Sequence, residues 1–174
     1  VVHHDLWDYD VPAQPVAFTL TREGRSVPAL AVATKMGHLF ILDRQNGHPL
    51  VPVRELPVPG SDVAGEDPSP TQPFPPAAYR FVAETLSATR AFGLTPVSRA
   101  ACETRIASLS NQGIFTPSSL RGTIHFPGHL GGFNWSGVSV DEAGGLLVAP
   151  VNQLAMVVTL VPRDSLRAVR TAHP

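Results

Sequence analysis

Val27-Pro28-Ala29-Leu30-Ala31-Val32-Ala33-Thr34-Lys35-Met36-Gly37-His38-Leu39-Phe40-Ile41-Leu42-Asp43-Arg44-Gln45-Asn46-Gly47 is two short apolar runs, each ended by a glycine turn. Val27 to Thr34 and His38 to Leu42 have the length of strands rather than helices. Lys35-Met36-Gly37 turns between them, and Asp43 to Gly47 is a tight turn into a returning strand, Pro49 to Val53. Upstream, Val16 to Leu20 faces the first run across Thr21-Arg22-Glu23-Gly24-Arg25, a hairpin signature with a glycine available for positive φ. The result is a meander of short antiparallel strands, spaced as in a propeller blade or a β-sandwich.

Downstream, residues 57–76 change to Pro, Gly, Ser and Asp. A loop this long in a compact domain is either a mobile linker or the wall of a binding site. Its end, Ser69-Pro70-Thr71-Gln72-Pro73-Phe74-Pro75, is stiffened by prolines, which favours a wall. Residues 77–109 form the one helical region, with Pro96 suited to a first helical position and Val97, Ala101 and Thr104 at helical spacing. These helices are expected on the outside of a sheet. Ile114 to Pro117, Gly122 to Phe126, Val138 to Val140, Leu146 to Val151 and Met156 to Val161 read as further strands. Residues 163–174 read as a frayed tail. A loose unit recurs: apolar strand, acidic residue with Gly a few positions on, apolar strand. Units of roughly 40 to 45 residues favour a propeller, with the 57–113 loop and helical insertion breaking the period. The whole of 1–174 is expected to be one partial β-propeller domain.

Composition narrows the function. The chain has 174 residues, 18 Pro and 14 Gly, only 16% charged residues, and a formal charge of -1. No basic block exists, so nucleic acid is not an expected partner. No apolar run reaches the roughly 18 residues that span a bilayer. Cys102 is the one cysteine, which excludes an intrachain disulfide and a cysteine zinc cluster. The abrupt start at Val1, on what reads as mid-strand sequence, points to a piece of a longer protein.

The chemistry concentrates near the amino terminus, in His3-His4-Asp5-Leu6-Trp7-Asp8-Tyr9-Asp10. As a strand it would put His4, Leu6, Asp8 and Asp10 on one side and His3, Asp5, Trp7 and Tyr9 on the other. Asp8 and Asp10 would then share a cation or raise one another's pKa; the alternative is a strand end with solvated acids and a buried Trp. Lys35 is the one lysine, at the end of an apolar strand, and offers a point charge; a solvated turn lysine is the competing reading. Gly128 to Gly137 is a glycine-rich turn without the Lys-Ser/Thr of a phosphate loop. Beside its glycines, Asn134 and Trp135 would meet a flat ligand, with the indole as a stacking plate; a core tryptophan is the equal alternative. No G-x-S-x-G occurs, His3 and His4 point apart on a strand, and His125 and His129 lack a helical ligand pattern, so serine hydrolysis and a histidine zinc site are not expected.

These residues carry a resemblance. The run His3 to Pro15, the run Lys35 to Arg44, Ser69 to Pro75, Gly113 to Pro117 and Phe126 to Gly137 resemble, in the same order, the membrane-bound quinoprotein glucose dehydrogenases. The likeness covers Val2 to about Arg163, and related quinate and polyol dehydrogenases share these blocks. It implies an eight-bladed propeller, mainly β, holding pyrroloquinoline quinone (PQQ) and a divalent cation, calcium or magnesium. It implies Asp8 as the catalytic base that takes the hydroxyl proton. Lys35 would be the cation beside the quinone oxygens, both catalytic and cofactor-binding. Asn134 and Trp135 would be cofactor-binding, and Asp10 a metal carboxylate. The partners implied are a sugar or polyol substrate and a membrane quinone as acceptor, with the parent protein anchored at the inner membrane and facing the periplasm. The chain matches only a middle segment of such proteins, so the remaining blades and main metal carboxylate lie outside it. Open sheet edges then predict self-association into a homo-oligomer. The other reading is a non-catalytic β-rich binding or assembly module, inactive as an isolated piece.

Overall fold

The computed structural model describes residues 1–172, with side chains through Thr171. The chain is mainly β, and every sheet pairs antiparallel. A three-stranded sheet is formed by β1 (Val16–Arg22), β2 (Arg25–Ala33) and β3 (Leu39–Asp43), in that order. Three two-stranded sheets follow: β4 (Arg54–Pro57) with β5 (Thr71–Phe74), β6 (Thr123–His125) with β9 (Met156–Val158), and β7 (Ser139–Asp141) with β8 (Leu146–Val148).

The first sheet follows the alternation of its side chains. Val32 and Phe40 face one way, into a cluster with Trp7, Tyr9, Met36, Phe74, Ile114 and Phe115. Ala29, Ala31, Ala33, Leu39 and Ile41 face the other, against Phe133 and Val138. Both faces of β2 and β3 are therefore covered, which is why they read as continuous apolar runs rather than alternating ones. Glu23 and Gly24 both take positive φ, 52° and 73°, the conformation that lets a two-residue turn follow the twist of its strands.

Several expected elements differ. Residues 3–10 are not a strand: His4 and Asp8 take φ of 43° and 64°, and the segment lies over the first core cluster as a series of bends. Pro49 makes only an isolated bridge with Leu42, and the next strand begins at Arg54. The stiff end of the long loop is itself a strand, β5, paired with β4. Residues 114–117 are buried but irregular, because Ile114 and Phe115 are held by packing and not by a ladder. The helical region contracts to α1 (Pro96–Ser108), with short 3-10 turns at Ala77–Tyr79 and Ala88–Arg90. Pro96 does open α1, behind a Thr95–Ser98 capping box. None of its residues is fully buried, but Ile106 packs against the Val82, Leu109, Ile124 and Phe126 cluster, so α1 meets the β6 sheet through one side chain. The tail is not frayed in its first part: a turn at Arg163–Ser165 leads into α2 (Leu166–Ala172), and its last two residues lie outside the described residues.

Candidate functional site

Asp5 shapes the acidic segment. Its carboxylate accepts from the backbone N–H of Trp7 at 2.9 Å and of Tyr9 at 2.7 Å. An Asx turn of this kind replaces the ladder bonds that a strand would need. It sends Trp7 and Tyr9 inward, both fully buried and stacked with centroids 6.2 Å apart. Trp7 Nε1 donates to the Thr116 carbonyl at 2.9 Å, and Tyr9 Oη to the Pro127 carbonyl at 2.7 Å. Burial, with the Asp5 charge added, pushes the Tyr9 phenol far above its ordinary pKa. With the rings turned in, Asp8 and Asp10 are turned out. Gln72 fastens the start of the segment: it accepts from His3 N at 2.8 Å and donates to His3 O at 2.6 Å.

Lys35 stands where three segments meet. Its backbone N–H donates to the Asp10 carbonyl at 3.1 Å, and its carbonyl accepts from Gly132 N at 2.7 Å. Its ammonium lies 2.8 Å from Asp8 Oδ2 and 2.7 Å from Asp10 Oδ1. The lysine side chain is 13% exposed, against 60% for Asp8 and 54% for Asp10, so an enclosed cation sits under an open carboxylate pair. Burial works against the ammonium, but the hydrogen bonds and charges of Asp10 and Asp8 outweigh it, and the Lys35 pKa is raised. The glycine-rich turn closes the other side. A Cβ on Gly131 would fall 2.6 Å from Lys35 Cγ, and one on Gly132 would fall 2.6 Å from Gly37 Cα. Glycine is required at both positions because backbone and lysine stem occupy that space.

The structure therefore brings Asp8, Asp10 and Lys35 together, on one side as the spacing of the acids implies, though through bends and not a strand. Asn134 and Trp135 are placed differently. Asn134 Nδ2 donates to Leu130 O at 2.6 Å and its Oδ1 accepts from Trp135 N at 2.8 Å, so its amide shapes its own loop. Trp135 is 87% exposed and is not a core tryptophan. Among the described residues, neither side chain bonds Asp8, Asp10 or Lys35, and no three His, Cys, Asp or Glu side chains are grouped to hold a metal. Sequence reasoning noted Asp5 and Gln72 but not the backbone bonds they make, and it missed the Gly131–Gly132 contact. Only Asp5 left a signal, a carboxylate two residues before an inward aromatic.

The family model described as the β-propeller domain of glucose/ethanol/alcohol dehydrogenase, designated PQQ, matches residues 1–173. The chain is 41% identical over 162 residues to the quinoprotein glucose dehydrogenase of Escherichia coli (strain K12), across 93% of this chain and 20% of that protein. It is 42% identical over 172 residues to quinoprotein glucose dehydrogenase A of Acinetobacter calcoaceticus, across 95% and 21%. It is 35% identical over 168 residues to the probable quinate dehydrogenase (quinone) of Xanthomonas campestris pv. juglandis, across 96% and 21%. The chain thus spans about a fifth of the length of the curated relatives it matches.

Proposed function

We propose, because this chain belongs to the PQQ glucose/ethanol/alcohol dehydrogenase β-propeller family, that it contributes the base-and-cation part of the active site of a PQQ-dependent dehydrogenase. The substrate is glucose or a related sugar or polyol, and the electrons pass to a membrane quinone. The observation that carries this reading is the Asp8–Lys35–Asp10 arrangement, set against glycines that leave room for nothing larger.

The donor set fits the cofactor in kind. PQQ is an anionic ortho-quinone, and Lys35 offers it a localised positive charge; a divalent cation such as calcium or magnesium takes oxygen ligands, which Asp10 offers. PQQ supplies the two-electron acceptor chemistry when bound. The chain's own residues do the rest. Lys35 holds positive charge where negative charge develops, preset by its backbone bonds to Asp10 and Gly132. Asp8, more than half exposed and turned out by its positive φ, is the base that takes the hydroxyl proton of the substrate. Asp10, beside the Lys35 ammonium, offers the carboxylate oxygens that would hold the cation. Trp135, already exposed, is the stacking surface, with Asn134 holding its loop in shape. The parent protein would work in the periplasm, and open sheet edges of this segment would pair with the remaining blades or with a second copy.

The test is calorimetric titration of the chain with PQQ, with and without calcium. Calcium-dependent binding that is lost in Lys35→Ala supports the reading. In the longer protein, Asp8→Asn should abolish dye-linked sugar oxidation while PQQ binding persists. No PQQ binding by the longer protein carrying wild-type Lys35 would refute it.

A further inference from the structure

Away from the Asp8–Lys35–Asp10 group, the β6–β9 ladder sets His125 opposite Met156. Residues opposed in an antiparallel pair project to the same face, with Cβ atoms about 4.5–5.5 Å apart. His129, four residues on, brings its ring centroid to 5.6 Å from that of His125, and its backbone N–H donates to Met156 Sδ at 3.3 Å. Two imidazoles and a thioether thus converge from two strands and a turn. Imidazoles sharing one ion at metal–nitrogen distances of about 2.0–2.1 Å have centroids roughly 5 to 6 Å apart, which is the separation seen.

His125 is prepared for ligation. It is 1% exposed, its Nε2 lies 3.1 Å from Ser118 Oγ, and its Nδ1 is buried with no hydrogen-bond partner among the described residues. A ligating histidine commonly donates its other ring N–H to a neighbour that fixes tautomer and orientation. In the tautomer whose Nε2–H donates to Ser118 Oγ, Nδ1 carries the free lone pair. An unpartnered buried nitrogen is costly, and a ligand that accepts its lone pair removes that cost. Burial, and secondarily the His129 charge, lower the His125 pKa to about 4, so the ring is neutral at physiological pH. His129 is exposed and Met156 is 38% exposed, which leaves a path from solvent.

We infer that His125, His129 and Met156 form a binding site for one cuprous ion, separate from any quinone chemistry. The thioether decides between metals. Soft sulfur favours Cu(I), whereas zinc is normally completed by four His, Cys or carboxylate donors, which this corner lacks.

The experiment is an anaerobic titration of the chain against Cu(I) held by bathocuproine disulfonate, read from loss of the chelator's colour. It is run in a Cys102→Ser background so that the single thiol contributes nothing. One Cu(I) per chain should transfer, and Zn(II) should compete poorly. His129→Ala and Met156→Leu, both at solvent-accessible positions, should each weaken binding at least tenfold with unchanged far-UV circular dichroism. Ser118→Ala should weaken it by about 10–100-fold. Failure of the chain to draw copper from the chelator, or equal affinity in folded His129→Ala and Met156→Leu, would overturn the inference. The assay contains no quinone, so its outcome is independent of the dehydrogenase reading.

Discussion

His38, by its burial, makes this fold sensitive to acid. It is fully buried among Phe74, Phe40 and Phe115, with ring centroids 5.5, 6.3 and 6.4 Å away, and neither ring nitrogen has a hydrogen-bond partner among the described residues. Burial first, and the Arg80 charge second, lower its pKa from 6.5 to about 3. The folded state therefore keeps His38 neutral where the unfolded chain is protonated. Between pH 6.5 and about 3 the unfolded state binds more protons, so stability falls as pH falls. Linkage from these two pKa values gives a loss of about 2 kcal/mol at pH 5 relative to neutral pH. His125, lowered to about 4, adds a further ~2 kcal/mol at pH 5 by the same arithmetic. The combined ~4 kcal/mol is a large part of the 5–15 kcal/mol typical of a domain. Urea unfolding of wild type and His38→Leu at pH 7.5, 6 and 5 tests this. Leu is similar in volume, carries no proton and leaves no unpaired nitrogen, so His38→Leu should be within about 1.5 kcal/mol of wild type at pH 7.5. Its loss of stability between pH 7.5 and 5 should be about 2 kcal/mol smaller than that of wild type. An unchanged pH dependence in His38→Leu would refute the reasoning.

Lys35→Met removes two ion pairs to half-exposed carboxylates and should cost about 1–2 kcal/mol in urea unfolding at pH 7. Because the Lys35 pKa is raised on folding, its contribution is complete below the unfolded value near 10.5 and disappears as pH rises through the folded one. Lys35→Met should therefore flatten the alkaline limb of the stability profile. Gly131→Ala, at φ 73° and crowded by Lys35 Cγ and the Phe133 carbonyl, should cost about 2–5 kcal/mol from strain plus overpacking. Gly145→Ala, at φ 65° with nothing within 4 Å, should cost only the strain of about 1–2 kcal/mol, and equal costs by thermal unfolding would refute the crowding argument. Trp7→Phe should cost about 1–3 kcal/mol in the same assay, since it leaves the buried Thr116 carbonyl without its 2.9 Å donor.

What was legible in the sequence was what is local. The β1–β2–β3 meander follows from apolar runs broken by Glu23-Gly24 and Gly37, each holding its turn through its own φ. Pro96 opening α1 is local in the same sense. The main errors are places where distant segments override local pattern. Residues 3–10 alternate like a strand, yet Asp5 closes them into bends because Trp7 and Tyr9 find partners at Thr116 and Pro127, more than a hundred residues away. Ile114 and Phe115 are as apolar as any strand but are used as plugs in the first core cluster. Residues 77–109 read as one helical region, but the spacing that supports it, Val97, Ala101 and Thr104, belongs to α1 alone. Trp135 carries the composition of a core residue and stands in solvent, since Phe133 two positions earlier takes the buried place.

The same division explains why the charged group is found at the end of β2. A strand covered on both faces needs two separate coverings, and here they come from opposite directions in the chain: residues 2–11 on one face and residues 133–138 on the other. The coverings meet beyond the last ladder pair, Ala33 with Leu39, where the first residues free of the sheet are Thr34 and Lys35. Lys35 gives its N–H to one covering and its carbonyl to the other. Its ammonium is thus positioned by the packing of Trp7 and Phe133 as much as by Asp8 and Asp10. The backbone bonds fix where the lysine stem leaves the sheet, and Asp8 and Asp10 fix where its ammonium ends. The apolar runs that build the sheet and the placement of the Asp8–Lys35–Asp10 group are, in this chain, consequences of one packing arrangement.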